Sequence, residues 1–194
     1  MEPTLSAEQL VEAIRPYYRA DRDYEMQEDA SPEDHRLNHF WHEVHERDGA
    51  RWDVVIDAIE REHPEYRLGH ITNSDPCFKV SVYDEMFESA GREVEFVTVG
   101  CMSMIAPVYT VYCVRWLSIK GVHIFSEALY EPLPPRVRRP TEVIARAIEA
   151  EFKVTRLPRE LAETFIPFNV RDRDVGETNL FHALFTPDPA RCVF

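Results

Sequence analysis

The stretch from Val94 to Phe125 is the most apolar of the chain, dense in Val, Ile, Tyr, Phe and Trp. It restricts the fold more than any other feature. β-Branched and aromatic residues favour a pleated backbone. Two turn signals, Ala106-Pro107 and Lys120-Gly121, divide the stretch into lengths suited to strands. One more strand precedes it, because Phe78, Val80 and Val82 alternate with Lys79, Ser81 and Tyr83 in the two-residue rhythm of a half-buried strand. The result is an antiparallel meander of four strands, with apolar residues in both alternation phases. Val97, Val99 and Ile105 stand beside Val94, Phe96 and Met102, so both faces need cover. That cover comes from this chain or from a second copy, which makes a homodimer a reasonable expectation.

The flanking segments read as helices. Ser6-Ala7-Glu8-Gln9 is a capping box followed by Leu10, Val11, Ile14, Tyr17 and Tyr18 at helical spacing, and Pro16 ends that run. Ser31-Pro32-Glu33-Asp34 opens a second helix. Gly49 is expected to end it, so that a third helix from about Ala50 to Glu62 buries Trp52, Val55, Ile56 and Ile59. After the sheet, the proline-rich, basic segment from Glu131 to Pro140 reads as a stiff non-helical connector. Thr141 then caps a helix bearing Ile144, Ala147, Ile148 and Phe152, and Pro158 opens a short helix through Phe165. The apolar run Leu180–Phe185, between Gly176 and Pro187, is expected to add a terminal edge strand. The chain thus reads as one α+β domain over residues 1–194: a helical part at 1–70, a sheet of four to five strands at 76–130, and a helical part at 140–194.

Cys77, Cys101, Cys113 and Cys192 lie far apart with no C-x-x-C pair, which suggests reduced thiols in an intracellular setting. The N-terminus has neither a basic region nor an apolar one of secretory type, so the cytoplasm is the expected compartment. Cys101–Ile119 contains Pro107 and Arg115 and falls short of a membrane span.

Charge is the next discriminating feature. The net charge is −13, and residues 1–75 carry 19 acids against 8 bases, a balance of −11. Such a surface repels phosphate backbones and steers basic proteins towards itself, so a basic protein partner is expected and nucleic acid is not. The acidic run Asp21, Asp23, Tyr24, Glu25, Glu28 and Asp29 is the expected contact, with Tyr24 as an aromatic anchor. An acidic chain of this kind has the physical type of an inhibitor or immunity protein against a cationic toxin, where charge complementarity sets association rate.

The chemistry-bearing alternative is the stripe His35, His39, His42 and Glu46, which falls within about 60° of arc on the second helix. Imidazoles one turn apart can share Zn²⁺, which would make the protein a metal-dependent hydrolase. The same wheel sets Leu37, Phe40, Trp41 and Val44 on the opposite side, so packing of that face on the sheet would leave the histidines in water. The pattern is also not H-E-x-x-H.

Two further clusters read as structural. Asp84, Glu85, Glu88, Glu93 and Glu95 suit a hairpin tip better than an acid–base pair. Cys101, in an apolar run, lacks a nucleophile elbow. A small-molecule pocket between sheet and helices would be lined by Trp116, Tyr112 and Phe96. No glycine-rich phosphate loop occurs and no motif calls for a cofactor. Arg136, Arg138, Arg139 and Arg146 form a basic cluster expected to pair with the chain's own acidic third.

Overall fold

In the computed structural model, residues 5–20, 31–70, 75–84, 87–89, 92–120, 122–171, 173 and 176–191 are described. The architecture is mixed α+β. Helix α1 (Ala7–Ile14) and a 3₁₀ turn at Arg15–Tyr17 precede the long α2 (Pro32–Glu62). Strands β1 (Arg67–Gly69), β2 (Cys77–Tyr83), β3 (Phe87–Ser89), β4 (Arg92–Ser103), β5 (Val108–Ile119) and β6 (Val122–Leu129) follow. After α3 (Arg138–Glu151) come β7 (Thr155–Arg156), α4 (Arg159–Ala162) and α5 (Leu180–Leu184). The sheet runs in the order β1-β2-β4-β5-β6, with β3 on β4 and β7 on β5. All pairings are antiparallel except β5 with β7.

The expected meander is therefore present, and its turns use the expected chemistry. The Ser103 hydroxyl accepts the N–H groups of Ile105 and Ala106 at the first turn. Lys120, at φ 52°, takes the left-handed conformation of a tight hairpin at the second. Both sheet faces are covered. On one, Cys77, Val97, Val99, Cys101, Tyr112 and Val114 pack against α1, α5 and the C-terminal loops. On the other, Phe78, Val80, Val82, Met102, Tyr109 and Val111 pack against α2 and α3. Burial on both sides explains why β2 does not follow the half-buried rhythm read from its sequence: Ser81 and Tyr83 are buried with the valines.

Four expectations are corrected. First, α2 continues through Gly49 for 31 residues instead of breaking there. A helical interior glycine costs only about 1 kcal/mol, and Val44 before it packs in the same cluster as Trp52, Val55, Ile56 and Ile59 after it. Second, Leu180–Phe185 is not a strand. Asn179 accepts the His182 N–H in a capping box and starts α5, whose residues are all buried. A short all-buried apolar run has no periodicity with which to separate strand from helix.

Third, α3 begins at Arg138, after a 3₁₀ turn at Pro135–Val137, so the connector is partly helical. Pro140 falls in the first turn, where its missing N–H is not needed, and Thr141 donates back to the Val137 carbonyl instead of capping. Fourth, the helix opened by Pro158 is a single turn ending at Ala162. The capping boxes at Ser6 and Ser31 are formed as read. Among the described residues, no helix is long and apolar enough to cross a membrane.

Candidate functional site

The outward face of α2 is the most extended charged feature. His35, His39, His42, Glu46, Asp53, Asp57 and Glu60 are all exposed and, at 100° per residue, share one stripe about 60° wide and about 38 Å long. The amphipathic pattern of the helix dictates this. Val44, Trp52, Val55, Ile56 and Ile59 turn to the sheet, and Leu37, Phe40 and Trp41 are partly buried against the cores, which leaves the stripe in solvent. Among the described residues, Glu46, Asp53, Asp57 and Glu60 have no basic partner.

Three members of the basic cluster are turned back onto the chain, while Arg138 is exposed and makes no ion pair among the described residues. Arg146 pairs with Glu62 at 2.6 Å, Arg139 with Glu65 at 3.7 Å and Arg136 with Asp84 at 2.6 Å. Arg51 pairs with Glu151 at 2.9 Å. Each exposed pair contributes no more than about 1 kcal/mol to stability. Their larger effect is on the field, since they offset Arg136, Arg139 and Arg146 near α3 and Arg51 of α2 itself, while the α2 stripe keeps its negative charge.

The candidate metal ligands are placed as follows. His35 and His39 project into water, His39 lying 3.2 Å from Glu43, and His42 borders a cleft of about 520 Å³ with Tyr18, Trp41, Asp75 and His182. Among the described residues, no three His, Cys, Asp or Glu side chains converge to hold a metal ion. Asp21, Asp23, Tyr24, Glu25, Glu28 and Asp29 lie outside the described residues; the flanking Arg19 and Ser31 line the same cleft.

The remaining candidates separate. Asp84 holds Arg136, whereas Glu95 is half-buried and its carboxyl is raised, first by desolvation and against the pull of Arg67. Cys101 is fully buried beside Cys77, whose thiol donates to the Phe185 carbonyl. Burial raises Cys77 well above the ordinary thiol range, opposite to the shift a nucleophile needs. Tyr112 and Trp116 sit on one face of β5, while Phe96 is paired with Arg115 and lies on the other, so these three do not line one pocket.

Three arrangements carry no signal in the sequence. Lys79, read as a solvent-facing strand residue, is mostly but not fully buried and pairs with the buried Asp75 at 2.6 Å. Burial alone would lower its ammonium; the sulfurs of Cys101 and Cys77 and the Asp75 carboxylate reverse that, and its pKa lies above the usual lysine value. His45, off the stripe, stacks between Trp41 and Phe78 at 5.0 and 5.8 Å, with a buried Nδ1 that lacks a hydrogen bond. Finally, a cavity of about 270 Å³ opens where the free edge of β5 passes from β6 to β7, bringing Thr110, Tyr130 and His182 together. Residues so distant in sequence have no spacing that would announce them.

The outer edge of β6 is also notable. Ile119, Val122, Ile124 and Phe125 are 37, 63, 51 and 38% exposed around the β5–β6 turn, and β6 ends the sheet with no strand beyond it among the described residues. No family model matches the sequence, and neither a curated protein nor a solved structure matches it.

Proposed function

We propose that the protein is a non-catalytic binding module that presents the acidic outer face of α2 to a basic partner protein, in the manner of an inhibitor or immunity protein against a cationic toxin. The observation that carries this reading is the line of Glu46, Asp53, Asp57 and Glu60 on one helix, without a basic partner among the described residues, while Arg136, Arg139 and Arg146 are paired elsewhere. Rigid, aligned charge speeds encounter with a complementary surface and costs little ordering entropy on binding.

The test is capture of basic proteins from host extract on the immobilised protein, followed by association kinetics with the captured species across a salt series. The triple variant Asp53→Lys/Asp57→Lys/Glu60→Lys should lower the association rate at least tenfold at low salt, with the difference shrinking as salt rises. An association rate equal to that of the wild type at low salt removes the proposal. Reversal of Asp21, Asp23, Glu25, Glu28 and Asp29 is the separate arm for the second acidic run. Self-association is a second reading, favoured by the exposed apolar edge at β6, which carries neither lysine nor proline to discourage strand pairing. Sedimentation of a dimer, lost on Ile124→Lys, supports it, and a monomer at high concentration excludes it.

A further inference from the structure

The cavity at the β5 edge has the construction of a ligand site rather than a packing defect. Strand β6 leaves β5 at the Cys113–Leu129 pair and β7 joins it at Tyr109–Arg156, so residues 110–112 of β5 have no strand neighbour on that side. Chain returning from the two ends of this gap closes it into a pocket of about 270 Å³ floored by Leu157, Ala162 and Phe181, all buried. A dry apolar pocket of this size would hold an aromatic ring. This one is not wholly apolar.

Three polar side chains line it without partners. Among the described residues, the hydroxyls of Thr110 and Tyr130 and the Nε2 of His182 make no hydrogen bond. Thr110 and His182 are each 8% exposed. These atoms are not sealed orphans of the core, and among the described residues each is left for water or a ligand in the cavity to bond. All three can act as donors. His182 Nδ1 accepts the Asn179 N–H, which leaves its proton on Nε2. Burial, reinforced by Arg173, lowers His182 to about 4 and keeps it neutral. Burial raises Tyr130 to about 12 and keeps it protonated.

The charges around the pocket point the same way. Arg156 pairs with Glu131 at 2.7 Å and Arg159 with Glu163 at 2.7 Å. Arg173, which acts electrostatically on both Tyr130 and His182, donates to the Pro187 carbonyl and has no carboxylate partner among the described residues. The lining itself is balanced, two guanidiniums against two carboxylates, and Arg173 adds a positive influence at His182. An apolar bed, three groups able to donate and the influence of Arg173 on His182 together select an anion with a small apolar body.

We propose that this cavity binds a small aromatic or branched monocarboxylate, with the carboxylate bonded by Thr110, Tyr130 and His182 and the apolar body seated on Leu157, Ala162 and Phe181. The site is distinct from the α2 face, and its failure would leave the docking proposal standing.

The experiment is titration of the full chain with benzoate, benzamide and benzylamine, followed by calorimetry and by methyl NMR shifts of Leu157 and Ala162. Benzoate should bind with Kd on the order of 1 mM or tighter, the range small fragments reach. Benzamide should bind at least tenfold more weakly, and benzylamine should give no saturable signal. Thr110→Val and Tyr130→Phe preserve shape and should each raise the benzoate Kd about tenfold, the usual effect of losing a bond to a charged group. Arg159→Gln, at the exposed rim, should weaken benzoate without affecting the fold. Failure of benzoate to saturate at about ten times that concentration, benzylamine binding as well as benzoate, or shifts confined to other methyls would each overturn the assignment.

Discussion

Replacing Gly49 by alanine gives a direct reading of whether α2 is one helix. In the structure Gly49 has right-handed helical neighbours on both sides, and an added Cβ would meet only the His45 ring at 3.9–4.0 Å, ordinary van der Waals contact. Alanine also loses less backbone entropy on folding than glycine and is the better helix former by about 0.8–1 kcal/mol. With nothing to displace, the gain should be close to that figure. For a chain of this size 1 kcal/mol corresponds to about 2–4 °C in Tm, so calorimetry should show Gly49→Ala melting about 2–3 °C higher. The urea m-value should not change, because the surface exposed on unfolding is the same. Gly49→Pro supplies the opposite arm: it removes a helical hydrogen bond and strikes the carbonyl one turn back, for a loss of about 3 kcal/mol or more. If the helix instead ended at Gly49 in a left-handed cap, alanine there would be destabilising. A fall in Tm of 2 °C or more would refute the continuous helix and the single 38 Å stripe built on it.

Gly100→Ala should have the opposite sign, because its Cβ would lie 2.4 Å from Ile144 Cγ2 and 3.3 Å from Val80 Cγ1. An overpacking loss of about 1–3 kcal/mol is expected in urea denaturation, and in a double-mutant cycle with Ile144→Ala, which removes the clashing Cγ2, the two losses should sum to less than additive. Lys79→Met strips the Asp75 carboxylate of its ammonium partner and should cost about 3 kcal/mol, whereas Lys79→Met/Asp75→Asn should regain at least 1 kcal/mol of that; equal stability of the two variants would show the pair to be unimportant. For His182 the native state resists protonation and the unfolded state does not, so the unfolded chain binds the extra proton. Stability is therefore complete above about pH 6.5 and declines as pH falls towards 4. His182→Gln, which keeps a side chain usual at that capping position, should flatten this slope, and an imidazole titrating near 6.5 by NMR would contradict the assignment.

What could be read from the residues was whatever depends on near neighbours along the chain. Ser6 and Ser31 specify their capping boxes within three residues, Pro16 stops α1, and Lys120 turns the hairpin, because each acts through bonds formed locally. The β-branched density of 94–125 likewise determined a sheet, and its two apolar phases determined cover on both faces. Where a local preference was weak, packing over distance prevailed. Gly49 was overruled by apolar side chains on both sides of it that dock on the same sheet face, and Leu180–Phe185 became helix because Asn179 could cap a run buried on all sides.

The sites divide along the same line. The histidine and acid stripe was visible as a helical period, yet only the docking of α2 decided that it faces water. The Lys79–Asp75 pair, the stacked His45 and the pocket of Thr110, Tyr130 and His182 depend on which strand edge is left open and which loop returns across it. That is a property of the assembled sheet, and no spacing along the chain encodes it.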